Sequence, residues 1–473
     1  MVIVFFSCRY AMGITNYKIV GKKHKCYSGS MQGSCAPFEG KNITLMGLGL
    51  LGRGVGDAEF LAGCGARVLI TDKKTEGELA DSVARLQKYP NIEFHLGGHR
   101  IQDFTSCDMV LKAAGVPLDS PEITAAKAAG VPVCMSTALF AEYAREAGAT
   151  IVGITGTRGK STVAHMIHHA LCAAGKRSHL GGNIRGLSTL AMLPEIRKGD
   201  ICVLELDSWQ LQGFGDLQIS PHVAVVTNLM PDHMNYYHGD MHRYFSDKAN
   251  IFKNQKDGDT LIVCDCVLDK VAKAHPPIAP KTPPALPEEW QLKIIGEHNV
   301  KNARLAAAAL RALLLAEQKI RSGIESFEPV EGRLQLVREV GGIKIYNDNN
   351  ATTPEATIAA LRALDDGKKN TILIMGGADK GLDMSELVKE AQRRCKGIVL
   401  LAGTGTDRIN TQLGSDMIYH ITENAVRAAF EQAGSGDVVL FSPAFASFGM
   451  FKNEYDRNDR FMDAVAALRV RSR

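Results

Sequence analysis

Short apolar runs, each followed by a Gly- or Asn/Asp-rich turn and then a stretch with helical spacing, recur along most of this chain. Asn42-Ile-Thr-Leu-Met46 is the first. The turn Gly47-Leu-Gly49-Leu-Leu-Gly52 follows it, then a helical stretch through Phe60 and Leu61 and a second strand, Arg67–Asp72. Strand Met109–Leu111, a helix over Pro121–Ala129 and strand Val131–Cys134 continue the pattern. A second block opens at Ile151, whose strand runs into a turn ending in Gly159-Lys-Ser-Thr162 and then an alanine-rich helix over Val163–Ala174. Ile201–Glu205 and Val223–Asn228 read as further strands, His275–Pro287 as a Pro-rich loop, and Asn302–Glu317 as a helix. Beyond Pro329, strands Lys344–Tyr346, Thr371–Met375, Gly397–Leu401 and Val438–Phe441 alternate with helical stretches, and a helix over Asp459–Val470 closes the chain. Near-continuous apolar strands separated by helices predict largely parallel sheets covered on both faces. The expected fold is therefore α/β with three domains, 41–134, 135–328 and 329–473.

Composition changes this picture little. With 45% hydrophobic and 22% charged residues over 473 positions, the chain is an ordinary globular sequence, and a net charge of +4 gives no reason to expect nucleic acid. No apolar run approaches the ~18 residues of a membrane span. Eleven scattered cysteines, with Cys264-Asp-Cys266 the one close pair, read as reduced thiols of a cytosolic protein. Residues 1–40 lack the pattern and are expected to be a disordered extension, or to lie upstream of a working start at Met31.

The stretch Ile151-Val-Gly-Ile-Thr-Gly-Thr-Arg-Gly-Lys-Ser-Thr162 carries the strongest chemical signal. A strand, a Gly loop and Lys-Ser at a helix start form a phosphate cradle: backbone N–H groups and the helix N-terminus face the anion, the lysine reaches the terminal phosphates, and the hydroxyl binds Mg²⁺. The strict pattern wants glycine where Ile154 stands, although Gly153 and Gly156 flank it. Glu205 ends a buried-type strand, where a parallel sheet binds ligands, and could join Ser161 as a hard oxygen ligand. Asp232-His233 follow the next strand; that histidine suits a metal ligand, an acid/base group or an exposed loop position. The Gly47–Gly52 turn with Asp72 says NAD when taken alone, but any phosphorylated nucleotide can use such a turn.

Several further motifs occur in order: Gly181-Gly-Asn183-Ile, Glu205-Leu-Asp-Ser-Trp-Gln-Leu211, Asn228-Leu-Met-Pro-Asp-His233, Tyr244-Phe-Ser-Asp-Lys248, Gly296-Glu-His-Asn299 with Asn302, Gly332-Arg333-Leu, Gly376-Gly-Ala-Asp-Lys380-Gly and Ser442-Pro-Ala-Phe-Ala-Ser447-Phe. Through these the chain, over roughly residues 41–473, resembles the Mur ligases, ATP-dependent amide-forming enzymes of peptidoglycan synthesis, and most closely the branch that adds glutamate. The resemblance implies a Rossmann-like first domain binding the UDP of UDP-N-acetylmuramoyl-L-alanine through Gly47, Leu50, Leu51, Asp72 and Lys73, with Asn183 facing the muramoyl part. It implies a central P-loop-type domain holding ATP through Gly156, Thr157, Arg158, Gly159, Lys160, Ser161 and Thr162, and a Rossmann-like C-terminal domain. Asn302 would read adenine, Arg333 the γ-phosphate and Asp348 the ribose. Lys160, Glu205, His233 and Lys248 would be catalytic; Ser161, Glu205, His233 and Lys248 would hold two Mg²⁺ ions, with Lys248 carbamylated by CO₂. By its position alone Lys248 is a helix-surface lysine one turn after Tyr244. Thr352, Lys380 and Ser447 would contact glutamate. A cytoplasmic monomer serving cell-wall synthesis, cell shape and division is implied, with no nucleic-acid or membrane partner.

The third domain departs from the family pattern. Asn347-Asp-Asn-Asn350-Ala-Thr352-Thr353 stands where relatives have Asn-Asp-Ser-Lys-Ala-Thr-Asn, Glu454 where an aromatic is common, and Asn458 where glycine is usual. D-glutamate is the expected acceptor and L-glutamate the alternative. Two readings from other classes compete. An NAD-dependent protein leaves Lys160, Glu205 and Lys248 unexplained, and a non-catalytic UDP-sugar binder would need a broken phosphate loop.

Overall fold

The computed structural model describes residues 35–48, 52–413 and 417–469, which form three sheets in sequence order. The expectations for residues 1–34, Leu50 and Leu51 lie outside the described residues. Order begins before Lys41: Phe38 is fully buried and packs edge-on against Phe60 and Tyr143. The reading of wholly reduced thiols is corrected here, because Cys35 and Cys64 are disulfide-bonded with Cα atoms 4.8 Å apart. Twenty-nine residues separate them in sequence, so no local spacing marks the pair.

The first sheet comprises β1 (Asn42–Met46), β2 (Arg67–Asp72), β3 (Ile92–Leu96), β4 (Met109–Lys112) and β5 (Val133–Cys134), all parallel in the order β3-β2-β1-β4-β5. The central sheet comprises β6 (Thr150–Thr155), β7 (Ser178–Gly182), β8 (Ile201–Glu205), β9 (Val223–Val226), β10 (Thr260–Val263) and β11 (Pro280–Lys281), also all parallel, ordered β11-β10-β9-β6-β8-β7. The third comprises β12 (Gln335–Val340), β13 (Ile343–Asn347), β14 (Thr371–Gly376), β15 (Cys395–Leu401), β16 (Ile418–Tyr419) and β17 (Val438–Phe441), ordered β12-β13-β17-β14-β15-β16. Only the β12–β13 pair is antiparallel.

Differences from the sequence expectation have local causes. β3 alternates apolar and polar residues, and β7 and β12 are interrupted by polar residues or glycines, so none of them reads as a buried run. β11 lies within the Pro-rich segment read as loop, because it pairs with β10 by main chain alone. The helix expected over 302–317 runs Glu297–Ala312, a second helix covers Glu317–Glu325, and the closing helix is Glu454–Ala467.

One apolar cluster runs from Phe38 to Phe327 and joins the first and central units. Helix Ser136–Glu146 contributes Phe140 and Ala144 to it. The third sheet carries a separate cluster on each face. No helix among the described residues is long and apolar enough to cross a membrane.

Candidate active site

In a parallel sheet the strand ends line one edge, so strand order decides which loops meet. β6 lies between β8 and β9, with Ile154 beside Glu205 and Thr155 beside Val226. The phosphate loop therefore leaves its strand between Glu205 and Thr227-Asn228. Asn228 braces the loop: its Oδ1 accepts from the N–H groups of Thr157 (3.2 Å) and Arg158 (2.8 Å), and its Nδ2 donates to Arg158 O (3.1 Å). Thr227 Oγ1 donates to the same carbonyl at 2.5 Å. Two positions in this loop require glycine. Gly156 has φ 140°, and a Cβ there would run into Thr227 Oγ1. Gly159 has φ 84°, caps helix Lys160–Ala173, and would clash with Asn302 Oδ1.

Three cations and one carboxylate converge on this loop. Lys160 Nζ donates to the carbonyls of Gly156 and Thr157 at 3.1 Å each; burial lowers its pKa and facing Glu205 opposes that shift. Lys248 is 4% exposed, donates to Gly156 O at 2.9 Å, and stands 4.7 Å over the Tyr244 ring. Burial, reinforced by Lys160, holds its ammonium well below the ordinary lysine range. The helix-surface placement suggested by its position is thus corrected: helix Met241–Lys253 turns this face inward against the loop. Arg333 reaches across from the third unit, and its Nη2 donates to Ser161 Oγ at 3.2 Å. Its buried Nε has no hydrogen-bond partner among the described residues, and burial lowers its pKa. Glu205, 4% exposed, faces both Lys160 and Arg333.

His233 adopts φ 55°, a costly conformation for a residue with a side chain, and packs against Trp209 with ring centroids 4.5 Å apart and planes tilted by 48°. Burial lowers its pKa. Its neighbour Asp232 was not singled out as a site residue. Burial pulls that carboxyl upward, but His233, Arg158, Lys380 and Lys160 together hold it below its usual value. Sequence offered only its adjacency to His233 as a signal. Within the Glu205-Leu-Asp-Ser-Trp-Gln motif, Asp207 and Gln210 form a capping box on helix Ser208–Asp216. These two residues serve folding by fixing where the chain turns after Glu205.

Asn302 is buried and donates to Asn299 Oδ1 at 3.1 Å. Asp348 is buried at the end of β13; its oxygens accept from Leu334 N (3.1 Å) and Ser442 Oγ (2.8 Å), and burial pushes its carboxyl up to about 7. Thr162 is buried in the first turn of its helix.

The acceptor residues come from three adjacent strand ends, β13, β17 and β14. Lys380 Nζ donates to Thr352 Oγ1 at 3.3 Å; burial lowers its pKa, and Asp232 and Glu454 counteract that. Ser447 is 5% exposed on the neighbouring loop, which bridges to the Lys380 loop through Ala378 and Ala446. Asn350 Nδ2 donates to Glu331 O at 3.3 Å, and Asn458 links Asn347 (2.9 Å) to Glu331 Oε1 (2.8 Å). Arg457 is fully buried, donating to Asn349 Oδ1 and O (2.8 Å each) and Phe445 O (3.0 Å). A helix arginine reads as surface in sequence, so this brace was not foreseen.

The first unit's residues form a separate group at the end of the first sheet. Gly47 takes φ 91°, and Asp72 accepts from Leu48 N and Lys74 N at 3.0 Å each, so its carboxylate shapes the turn. Lys73 is exposed. Asn183 N donates to Glu205 O at 2.8 Å, placing this residue beside the end of β8. The units are tied by Ser188–Asp57 (2.5 Å) and Arg185–Asp459 (3.0 Å).

Among the described residues no three His, Cys, Asp or Glu side chains cluster as a metal would need. Ser161 Oγ and Glu205 are hard oxygen donors suited to Mg²⁺, but a lysine amine is not. The set fits Mg²⁺ once phosphate oxygens and a carboxylate on Lys248 are added.

Family profiles match the chain in three consecutive blocks: Mur ligase MurD-like N-terminal domain over 41–135, Mur ligase middle domain over 154–281, and Mur ligase glutamate ligase domain over 332–445. The UDP-N-acetylmuramoylalanine–D-glutamate ligase of Roseiflexus sp. (strain RS-1) is 36% identical across 91% of this chain and 99% of its own length. The enzyme of the same name from Borreliella afzelii (strain PKo) is 32% identical across 90% and 98%. Among solved structures, UDP-N-acetylmuramate-alanine ligase from Thermotoga maritima shares the fold with a TM-score of 0.59 at 18% identity, covering 90% of this chain and 99% of its own. MurF ligase from the same organism, in complex with ADP, gives 0.54 at 17% identity over 84% and 93%.

Proposed function

Because the chain belongs to the Mur ligase family, in its MurD branch, we propose that it joins D-glutamate to UDP-N-acetylmuramoyl-L-alanine with conversion of ATP to ADP and phosphate, a step of peptidoglycan precursor synthesis. The observation that carries this reading is the meeting of Lys160, Glu205, Lys248 and Arg333 at one phosphate loop, with Arg333 supplied by the third unit.

A carboxylate is a poor acyl donor, so the alanine carboxylate is first phosphorylated to an acyl phosphate. Lys160 and Arg333 counter the charge that builds on the transferred phosphoryl group. Ser161, Glu205, His233 and a carbamylated Lys248 would hold Mg²⁺, which supplies further charge neutralisation beside the phosphates. Burial of Lys248, with no carboxylate in hydrogen-bond contact among the described residues, supports the carbamylation. Asn302, Arg333 and Asp348 orient the nucleotide; Gly47, Asp72, Lys73 and Asn183 hold the UDP-sugar. Lys380, Thr352 and Ser447 place glutamate so that its amine attacks the acyl carbon, and the tetrahedral intermediate expels phosphate. Asp232, which His233, Arg158 and Lys380 favour in its ionised form, would be the carboxylate that takes the amine's proton. Arg333, buried where the third unit meets the phosphate loop, would help keep water from the acyl phosphate.

L-glutamate is a second reading, favoured by Asn350, Glu454 and Asn458 in the acceptor region. The test is ligation with ATP, UDP-N-acetylmuramoyl-L-alanine and each enantiomer, following ADP and product mass. D-glutamate is expected to react faster. Product with neither enantiomer, while ATP and the UDP-sugar bind, would overturn the assignment.

A further inference from the structure

β10 runs beside β9 and ends one residue before Cys264, whose N–H bonds Val226 O at 2.9 Å. The chain then makes a tight turn, Asp265–Val267. Cys264 is buried and Cys266 exposed, and their Sγ atoms stand 3.1 Å apart. The Cys266 thiol also lies 3.7 Å from Thr227 O, within reach of a sulfur hydrogen bond. Thr227 and Asn228 are the residues that brace the phosphate loop. On its other side the turn is clamped to helix Glu297–Ala312: Asp265 pairs with Arg304 at 3.2 Å, and Arg304 also donates to Pro283 O and Pro284 O. That helix carries Asn302, which abuts Gly159. The turn therefore touches both supports of the nucleotide site. The hydrogen bond from Cys266 lowers the Cys264 thiol to about 6, while the same bond raises that of Cys266. Two thiols whose sulfurs already touch, one of them reaching solvent, are the arrangement an oxidisable pair needs, with Cys264 taken as the nucleophile and Cys266 as the resolving thiol.

We propose that Cys264 and Cys266 form a reversible dithiol–disulfide couple that tunes ATP binding at the phosphate loop. With a peroxide as oxidant, the Cys264 thiolate attacks an oxygen, the O–O bond breaks, and a sulfenic acid forms as the leaving oxygen takes up a proton to give water. The Cys266 sulfur then attacks the sulfenic sulfur and loses its proton, and a second water leaves. The two sulfurs lose two electrons and the peroxide gains them. Closing the disulfide draws the sulfurs from 3.1 Å to about 2.0 Å and moves Cys266 relative to Thr227 O, 3.7 Å away, so the turn no longer packs on the loop's brace as it did. A dithiol reductant restores both thiols.

The test treats the full-length protein with hydrogen peroxide and reads two quantities. The peptide containing 264–266 should lose two hydrogens by mass spectrometry. The KM for ATP should rise about fivefold, as a displacement of the Thr227-Asn228 brace worth about 1 kcal/mol would give, with the KM for the UDP-sugar unchanged. Dithiothreitol should reverse both. Cys266→Ser should show neither change; an effect arising at Cys35–Cys64 would persist in it. Cys264→Ala serves the same purpose if that variant does not fold. Absence of the 264–266 disulfide, an unchanged KM for ATP once it has formed, or an equal response in the variant would each overturn the couple. The proposal rests on ATP phosphates occupying this loop. Lys160→Ala tests that placement separately, while the mass change reports the dithiol whatever the loop binds.

Discussion

Asn350→Lys restores a cation to the acceptor loop, and its effect can be worked from the contacts already present. Asn350 Nδ2 makes one long bond, 3.3 Å to Glu331 O, on a partly exposed loop. Lys380, bonded to Thr352 at 3.3 Å, is the remaining lysine of the acceptor set. A hydrogen bond to a charged donor contributes about 1.5–3 kcal/mol, against about 0.5–1.5 for neutral groups. Exchanging amide for ammonium therefore gains about 1–1.5 kcal/mol toward a substrate carboxylate. Part is offset by the lost Glu331 contact and by ordering a longer side chain. The Glu331 carboxylate, whose Oε1 accepts from Asn458 at 2.8 Å, competes for the new ammonium and offsets a further part. A net gain of about 1 kcal/mol corresponds to a roughly fivefold lower KM for glutamate. The assay is initial-rate ADP release at saturating ATP and UDP-sugar, with D- and L-glutamate varied separately. The KM should fall for the preferred enantiomer with kcat little changed. An unchanged or higher KM at full kcat would show that position 350 does not face the substrate carboxylate.

Lys160→Ala should cost on the order of 10²–10³-fold in kcat while UDP-sugar binding, measured by calorimetry, stays intact; turnover within tenfold of the parent would mean the loop is misassigned. Lys248→Ala should be nearly inactive, recover partly with short carboxylic acids, and be mirrored by slower turnover of the parent protein in CO₂-depleted buffer. Full activity without added acid would remove the metal-binding role. Asp348 has its carboxyl raised from 3.8 to about 7, so the folded protein holds a proton that the unfolded chain releases. Its contribution to stability is present below about 3.8 and is lost as pH rises to about 7, by on the order of 4 kcal/mol. Asp348→Asn can keep both bonds, accepting from Leu334 N and donating to Ser442 Oγ. It should therefore raise Tm at pH 8, where the buried carboxyl of the parent is ionised at a cost, and leave it nearly unchanged below pH 4; equal Tm values at pH 8 would refute the raised pKa.

Some of this site was legible because its chemistry is local. Gly159-Lys-Ser follows an apolar strand and opens a helix, and that sequence of elements is itself the phosphate cradle. Glu205 was legible as the last residue of a buried strand. Lys248 was not: a lysine within a helix reads as a surface residue, and family resemblance was needed to single it out. Cys35–Cys64, Asp232 and Arg457 lacked any signal strong enough to name them, because each acquires its partner from a segment distant in sequence or from a neighbouring loop.

Periodicity and turn residues determined by themselves the α/β alternation, most strands of the three sheets and the phosphate loop, since each depends on neighbours only a few positions away. Strand order belongs to the tertiary structure alone: placing β6 between β8 and β9 sets Glu205 and Asn228 on either side of the loop. Docking of the third sheet then brings Arg333 to Ser161 and Lys380 towards Asp232. Those contacts exist because buried apolar faces fix how whole sheets and helices pack, and that packing is a sum over residues hundreds of positions apart, which no local pattern records.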